Sequence, residues 1–561
     1  MFMVWGHPRT SEVFRIIPSM PSPNLPLVNR FIAHGLQAIS ENARVSTPVC
    51  GTLPPQNRTF GRISPLAPIG SKGTIPPPVT LNRRQFLSGA IASAGGLYLS
   101  SSLNWALPQS EAAPETAPKR VVILGAGLAG LSAGWELKNA GHDVAILEAQ
   151  LHPGGRVYTI REGLSDDLYA EAGAGRIPDT HSITLEWVKH FGLTLEPFFP
   201  AELSEVALMK GKRVITPVGK PSDMSQVPLD LTPIERKIGL SNFDEHFYGD
   251  MMRKIGGAIR DDWPPEITRL ADISMGEFLR RQGASPDAIH YMLFGFENDA
   301  ALDFMRDAYS HHVKSLSKIA GGNDQLPRAF AARLSDQIRY GCAVEHMERS
   351  EDRVRISFRR AGMMDHLEAD AAICTIPFTV LRHIAVTPDW PPEKRKVIDS
   401  LYYGPVVRAT FQVSRRYWED QRLNGFGSSD KDMEVWHPTY GKPGRRGLLQ
   451  AYCYEDYADQ LDALTEKERT ERLTADMNEV HPGLRQHLET VIVKSWQSDP
   501  WQRGAFQEYR AGQQQWYPEI GKREGRVWFA GEHTSPWPGW MQGAIASGIK
   551  AAREISALTP R

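Results

Sequence analysis

The sequence is poor in cysteine and carries almost no net charge. Its 561 residues include only four cysteines, Cys50, Cys342, Cys374 and Cys453, which are far apart and form no C-x-x-C pair. This spacing argues against a disulfide framework or a cysteine metal site and favours buried free thiols. The formal net charge of −1 gives no reason to expect nucleic acid or an anionic membrane as a partner. We find no internal repeat, and the length suits two or three domains with sizeable cores.

The N-terminal region lacks any apolar run long enough for a comfortable membrane span. Residues 1–80 are rich in Pro and Ser, which predicts no fixed fold. The pair Arg83-Arg84 precedes a moderately apolar, Gly/Ala/Ser-rich stretch that ends near Ala106 and is too short to span. Paired arginines before such a stretch are typical of a twin-arginine export signal, although a basic pair can also cap an ordinary short helix. We therefore expect 1–117 to be a disordered pre-region that directs export to the periplasm or the extracellular space.

The first pattern that carries chemistry opens with an apolar segment, Val121–Leu124. Three glycines follow it at the G-x-G-x-x-G spacing, and the residues after them predict a helix over Leu128–Ala140. A second strand is predicted over Asp143–Leu147, and it is closed by the acid Glu148. Strand, glycine turn, helix, strand and acid in this order predict a dinucleotide-binding unit.

Each part of this unit has a physical task. Gly125 allows a tight turn, Gly127 lets the backbone approach a pyrophosphate, and Gly130 lets the helix pack closely on the strand. The helix N-terminus offers unpaired N–H groups to the phosphates, and Glu148 can accept hydrogen bonds from the ribose hydroxyls of adenosine. This pattern alone does not choose between FAD and NAD. The predicted binding residues are Gly125, Ala126, Gly127, Leu128, Ala129, Gly130, Glu148 and Ala149.

The rest of the chain predicts a mixture of helices and strands. Residues 180–320 carry mostly helical periodicity, as in Phe243–Ile259. Ala371–Ile376 predicts a buried strand, and the C-terminal end returns to the opening pattern with a strand at Val527–Ala530 and a helix from Met541 to about residue 558. The dinucleotide domain is therefore predicted to be discontinuous along the chain.

Five segments in this order resemble the flavin-dependent amine oxidase superfamily, and within it the L-amino acid oxidases. They are the opening strand–helix–strand unit, Gly154-Gly155-Arg156, Gly173–Pro178, Lys318–Leu326 and Phe529–Thr534. The resemblance covers nearly all of 119–561 and implies FAD as the cofactor. It also implies an α/β fold of the amine oxidase and glutathione-reductase type, with a discontinuous Rossmann-like FAD-binding domain, a mixed-sheet substrate domain and a helical insertion.

The resemblance also implies domain boundaries and a homodimer. We assign 118–180, 318–370 and 520–561 to the FAD-binding domain. The substrate-binding domain is expected over 181–200 and 371–519, and the helical domain over 201–317.

The flavin half of the cofactor is expected to meet a second set of residues. Arg156 would supply a fixed cation beside the phosphates, and Glu532 would lie against the pyrophosphate–ribityl region. A surface arginine and an ordinary strand-end carboxylate are the alternatives. The helix that starts near Met541 would direct its positive N-terminal end to the N1/C2=O edge of the flavin. The predicted set is completed by Gly155, Gly173, Ala174, Gly175, Arg176, Val344, Trp496, Gly531 and Trp540.

Arg176 indicates the substrate class. The resemblance places here an arginine that holds the substrate carboxylate in the amino acid oxidases, whereas oxidases of simple amines generally lack it. A planar guanidinium can form two parallel charge-assisted hydrogen bonds with a carboxylate. The alternative is a structural arginine paired with Glu171 or Asp179.

The same resemblance predicts an aromatic cage around the substrate amine. Trp540, after Gly539, falls at one wall of the cage, which would orient a neutral amine and exclude water. Trp436 and His437 stand where the family often has two tyrosines, so the tyrosine that provides a second carboxylate contact in the family has no counterpart at these positions. Ala505 is expected to leave room for a bulky substrate side chain.

Arg408 departs from the family pattern. Many members have a lysine at this position that is linked to oxygen reactivity, and the geometry of arginine is not interchangeable with that of lysine. The expected catalytic residues are Arg176, Trp540 and Arg408. We assign no general base and no metal ligand.

Together these patterns predict an exported FAD-dependent L-amino acid oxidase. It would convert an L-α-amino acid into a 2-oxo acid, ammonia and hydrogen peroxide, with oxygen as the acceptor. Three alternatives stay open: a monoamine or polyamine oxidase if Arg176 is structural, a decarboxylating amino acid 2-monooxygenase, and a protein that binds FAD without turnover. The side-chain preference is not indicated.

Overall fold

The computed structural model describes residues 118–200, 202–311 and 314–558. The predicted pre-region and its export signal near Arg83-Arg84 lie outside these residues. Within the described ranges, no helix is both long and apolar enough to cross a membrane.

A five-stranded parallel sheet joins three distant parts of the chain. Its strand order is Ile338–Tyr340, Asp143–Glu148, Arg120–Leu124, Ala371–Cys374 and Val527–Phe529. Every neighbouring pair is parallel, and the central strands are apolar runs because both faces of such a sheet are covered. The predicted discontinuous α/β domain is therefore confirmed.

Two helices cover this sheet near the glycine turn, Leu128–Asn139 and Met541–Ser556. Their backbones approach closely at Gly548, where an added Cβ would lie 2.1 Å from the carbonyl oxygen of Ala129. The first and last segments of the described chain are thereby packed together, with both helix N-termini near the ends of the strands.

A seven-stranded mixed sheet forms the second layer. Its order is Leu488–Ser495, Val406–Val413, Gly447–Tyr454, Met433–Trp436, Leu423–Ser429, Ser204–Met209 and Lys212–Pro217. Its pairs are antiparallel except for the contact between Leu423–Ser429 and Ser204–Met209.

Two of the predicted domain boundaries differ from this topology. The strand Ala371–Cys374 pairs with Arg120–Leu124, so it lies in the sheet of the FAD-binding domain and not in the substrate domain. The hairpin of Ser204–Met209 and Lys212–Pro217 belongs to the seven-stranded sheet, although it was expected in the helical domain. A short apolar run on each side of a Lys210-Gly211 turn, Val206–Met209 and Val214–Ile215, is the hairpin signal in this part of the sequence.

The remainder of 218–311 is helical, but the predicted helix Phe243–Ile259 is interrupted. A π-helical turn at Glu245–Gly249 leads into a short α-helix, Asp250–Ile255, which ends before Gly256, whose positive φ of +73° favours glycine. The other α-helices here are Pro233–Ile238, Pro265–Thr268, Met275–Arg281, Pro286–Leu293 and Ala301–His311.

Smaller elements complete the two layers. A four-stranded sheet contains Cys342–Arg349, Val354–Arg360, Met363–Ala369 and Ala385–Thr387, and a three-stranded sheet contains Ile177–Pro178, Leu195–Pro197 and Leu316–Ile319. The longer remaining helices are Ser182–His190, Gln325–Arg333, Pro392–Ser400, Glu455–Asp462 and Glu466–Val480.

Candidate active site

One large cavity lies between the parallel sheet, the seven-stranded sheet and the helix Ala301–His311. All predicted site residues line it except Ala126, Gly130 and His437. The structure therefore brings together segments from both ends and the middle of the described chain.

The glycine turn is shaped by close approaches of its own backbone. Gly125 has a φ of +111°, which favours glycine. A Cβ at Gly130 would lie 2.0 Å from the carbonyl oxygen of Gly125, whereas at Gly127 no described atom lies within 4 Å of the added position. Gly130 thus holds the shape of the turn behind the cavity, and Gly127 leaves space in front of it.

Glu148 secures the turn from the next strand. Its side chain is buried, and its two carboxylate oxygens accept hydrogen bonds from the backbone N–H of Ala126 at 2.6 Å and of Gln150 at 2.8 Å. Burial raises the pKa of Glu148. Each oxygen keeps a lone pair, so Glu148 can still accept from a ribose hydroxyl in the cavity. Ala126 acts through this hydrogen bond and does not itself line the cavity.

Two helix N-termini open into the cavity without side-chain caps. The helices begin after Gly127 and Trp540, and no described side chain hydrogen-bonds to either terminus as a cap. The first N–H groups of a helix need acceptors, and this end of the helix is positively polarised. One end is suited to a pyrophosphate and the other to the electron-rich edge of a flavin, so the residues present fit FAD.

Arg156 and Glu532 form one unit beside these termini. Nη1 of Arg156 lies 2.6 Å from Oε1 of Glu532 and also donates to the carbonyl oxygen of Ala505. The second carboxylate oxygen of Glu532 accepts from the N–H of Gly539 at 2.7 Å. The predicted cation is therefore neutralised by the predicted acid, and the pair ties together three loops that line the cavity.

Arg176 is largely buried and pairs with an acid that the sequence analysis did not single out. Its Nη1 lies 3.8 Å from Oε2 of Glu434, and the two side chains are 10% and 1% exposed. The guanidinium also lies 4.9 Å from the centre of the Trp436 ring. Glu171, one of the two acids considered as a partner, accepts hydrogen bonds from Thr159 and from the N–H of Asn323.

One face of the seven-stranded sheet supplies the floor of the cavity near Arg176. Arg408, Tyr452 and Glu434 lie side by side on three neighbouring strands. The Arg408 guanidinium is 3.8 Å from the Tyr452 ring centre and 4.4 Å from that of Trp436, and its Nη1 donates to the carbonyl oxygen of Glu171 at 2.8 Å. Arg408 is thus fixed by stacking and by one backbone acceptor, in a geometry that a lysine would not reproduce.

The expectation that His437 lines the substrate site is wrong. Its Nδ1 lies 2.8 Å from the carbonyl oxygen of Asn424, and its ring packs edge-on against Trp418. It borders a separate small cavity, and burial lowers its pKa to about 3. Successive residues of an extended strand point to opposite faces, so Trp436 faces the main cavity and its neighbour faces away.

Trp540 stands at the opposite side of the cavity, where His181 and the helix Ala301–His311 meet it. Its indole Nε1 donates to Oδ1 of Asp307 at 2.5 Å. The rings of His181 and His311 lie 4.8 and 5.1 Å from its ring. No motif in the sequence of this helix predicts the contact, although Asp303, Asp307 and His311 recur every four residues and so share one helix face.

The described residues contain no cluster of His, Cys, Asp or Glu that could hold a metal ion. Cys342, Cys374 and Cys453 are buried and free, as predicted, and Cys50 lies outside the described ranges.

Comparison with known proteins identifies the family of this chain. The profile of the family described as flavin containing amine oxidoreductase matches residues 128–556. The chain therefore belongs to this family of flavin-dependent enzymes, and its cofactor is FAD.

Named relatives are L-amino acid oxidases. YobN of Bacillus subtilis, whose name assigns it provisionally to the L-amino-acid oxidases, is 31% identical over 79% of this chain and 95% of its own length. The L-amino-acid oxidase of Demansia vestigiata is 29% identical over 78% of this chain and 87% of its own. The flavin-dependent L-tryptophan oxidase RebO of Lentzea aerocolonigenes is 29% identical, with coverages of 78% and 98%.

Solved structures share the fold at lower identity. A putrescine oxidase double mutant superposes with a TM-score of 0.68 at 21% identity, covering 79% of this chain and 100% of the other. Cyclohexylamine oxidase from Brevibacterium oxydans gives 0.67 at 18% identity, with coverages of 78% and 99%.

Proposed function

We propose that this enzyme is an L-amino acid oxidase that deaminates an L-α-amino acid to its 2-oxo acid, with release of ammonia and hydrogen peroxide. The observation that carries the proposal is the position of Arg176. Its guanidinium lines the same cavity as the two uncapped helix N-termini and Trp540. A buried guanidinium in a substrate cavity is suited to a carboxylate, which a simple amine does not have.

The residues that line the cavity would have the following roles. Arg176 binds the substrate carboxylate and so orients the Cα–H bond, and the rings of Trp436 and Trp540 bound the space for the amine and exclude water. The N-terminus of Met541–Ser556 stabilises negative charge that develops at the edge of the cofactor. FAD, when bound, would supply the hydride acceptor and the route for electrons to oxygen.

The alternative of a simple amine oxidase draws on two proteins of the same fold, a putrescine oxidase solved with bound putrescine and a cyclohexylamine oxidase. The names of the L-amino acid oxidase relatives favour the first proposal. A decarboxylating monooxygenase would use much the same carboxylate site.

A peroxide-release screen separates these activities. The common L-amino acids would be compared with the amines that remain after loss of their carboxylate, and the product of the best substrate would be identified by mass spectrometry. We expect peroxide with L-amino acids and a 2-oxo acid as the product. Comparable turnover of the amines would contradict the proposal, an amide product would indicate a monooxygenase, and no anaerobic flavin bleaching with any substrate would indicate a non-catalytic protein.

A further inference from the structure

The indole of Trp540 is held by a carboxylate from a different part of the chain. Asp307 lies in the last turns of the helix Ala301–His311 and is largely buried at the cavity wall. Its Oδ1 accepts the Trp540 Nε1–H at 2.5 Å. Trp540 immediately precedes the helix Met541–Ser556, so this hydrogen bond joins the helical region to the turn that opens the C-terminal helix.

Two histidine rings pack against the indole of Trp540. His181 contacts it edge-on at 4.8 Å, and the tilted ring of His311 lies 5.1 Å away. The charged and titratable groups that face the pair are Asp303, Arg306 and His311 on the same helix and His181 from the opposite side. Arg306 is bound to Asp303 through both Nε and Nη2. Asp307 keeps its other oxygen 3.9 Å from Nδ1 of His311.

We propose that Asp307 is a positioning residue, whose carboxylate fixes the indole plane of Trp540 as the wall of the amine site. The hydrogen bond itself does not depend on the function proposed above, but its effect on turnover rests on that function. A charge-assisted hydrogen bond is stronger than a neutral one. The hydrogen bond between Asp307 and Trp540 therefore weakens when the carboxylate is protonated. Burial raises the pKa of Asp307 from 3.8 to about 6, which places this change within the range where an enzyme is assayed.

The hydrogen bond can be tested without any substrate. In the holoenzyme labelled with ¹⁵N-tryptophan, the indole signal of Trp540 is the one that is absent from Trp540→Phe. We expect this signal to titrate near pH 6 in the wild type and to be constant with pH in Asp307→Asn, whose amide oxygen can still accept. In Asp307→Ala the signal should shift strongly, because its acceptor is lost. A signal that is the same in wild type and Asp307→Ala would overturn the proposal.

Steady-state kinetics then test whether the hydrogen bond between Asp307 and Trp540 affects catalysis. We expect Asp307→Ala to lower kcat/KM about 10-fold, because the hydrogen bond is lost, and Asp307→Asn less than about 3-fold, because a neutral hydrogen bond replaces the charge-assisted one. Trp540→Phe should resemble Asp307→Ala, and the double variant Asp307→Ala/Trp540→Phe should be no worse than the poorer single variant. Losses that multiply in the double variant would contradict a shared role.

The pH dependence of kcat/KM provides a further test, because a residue that is needed only for folding would not change the shape of this profile. The slope of log(kcat/KM) against pH should steepen below about pH 6 in the wild type, where protonation of Asp307 begins, and should not steepen in Asp307→Asn. Asp272→Asn, at an exposed acid in a neighbouring helical turn, serves as the control. If the indole signal behaves as expected and no L-amino acid is turned over, the proposed function fails while the positioning of Trp540 stands.

Discussion

The guanidinium of Arg176 lies 3.8 Å from the carboxylate of Glu434. Glu434 also accepts hydrogen bonds from the indole of Trp436 and, at 2.7 Å, from the hydroxyl of Tyr454. A buried cation needs a counter-charge, and here that charge sits in the sheet behind the cavity. The arginine is therefore stabilised from one side while it remains part of the cavity wall.

Loss of the arginine should discriminate between substrates. Arg176→Ala is expected to lower kcat/KM for L-amino acids by about 100-fold or more, because a bidentate charge-assisted contact contributes roughly 3 kcal/mol. The values for the corresponding decarboxylated amines should change by less than about 3-fold. Steady-state peroxide assays on both substrate classes measure this, with Arg176→Lys as the variant that keeps the charge but loses the planar fork. Equal losses for both classes would make Arg176 a structural residue.

Removal of the counter-charge should destabilise the protein when no carboxylate ligand is present. Glu434→Gln keeps an acceptor for Trp436 or Tyr454 but leaves Arg176 without its buried partner charge, at a cost of about 3 kcal/mol. A bound carboxylate replaces the missing charge, so benzoate should raise the melting temperature of Glu434→Gln more than that of the wild type. Differential scanning fluorimetry with and without benzoate measures both effects. Equal benzoate shifts in the two proteins would count against the pairing.

Alanine substitutions at Gly127 and Gly130 should have different effects, the first on flavin content and the second on stability. Gly127→Ala is expected to fold, since Gly127 has a φ of −73° and open space at the added position, but its methyl group would occupy the cofactor side of the turn. Gly130→Ala would place a Cβ 2.0 Å from the Gly125 carbonyl oxygen and should lower the free energy of unfolding by several kcal/mol. Flavin content and thermal unfolding of both variants test this. A Gly130→Ala protein as stable as the wild type would contradict the geometry of the turn.

Glu171 should make the protein less stable as the pH rises. Burial raises the pKa of this carboxyl from 4.5 to about 7, so between these values the folded state binds more protons than the unfolded state. The corresponding stability, at most about 3 kcal/mol, is present below about pH 4.5 and is lost as the pH rises through about 7.

Glu171→Gln should reduce this loss of stability, because its amide is neutral at every pH. Urea unfolding at about pH 5 and about pH 8 measures the difference, with Glu162→Gln at an exposed position as the control. The same pH dependence in wild type and Glu171→Gln would rule out Glu171 as its source.

The sequence predicted well those strands and helices whose formation depends mainly on residues close together along the chain. The strand Val527–Phe529 ends one residue before its expected limit, and the opening strand–helix–strand unit agrees within about a residue at each end. The helix expected over Phe243–Ile259 includes a π-helical turn at Glu245–Gly249 and ends earlier, at Ile255, because Gly256 has a positive φ. Its apolar residues pack in a core of several short helices, where tertiary contacts override periodicity.

The sequence did not predict which carboxylates pair with Arg176 and Trp540. Gly125, Gly127, Gly130 and Glu148 carry the cofactor prediction because their roles follow from backbone geometry and from their positions within one short strand–helix–strand unit. Glu434 reaches Arg176, and Asp307 reaches Trp540, only because separate layers of the fold meet at one cavity. Charge and hydrogen-bond partners that lie far apart along a chain leave no periodic signal, so the tertiary structure alone decides which carboxylate neutralises the arginine and which one holds the indole.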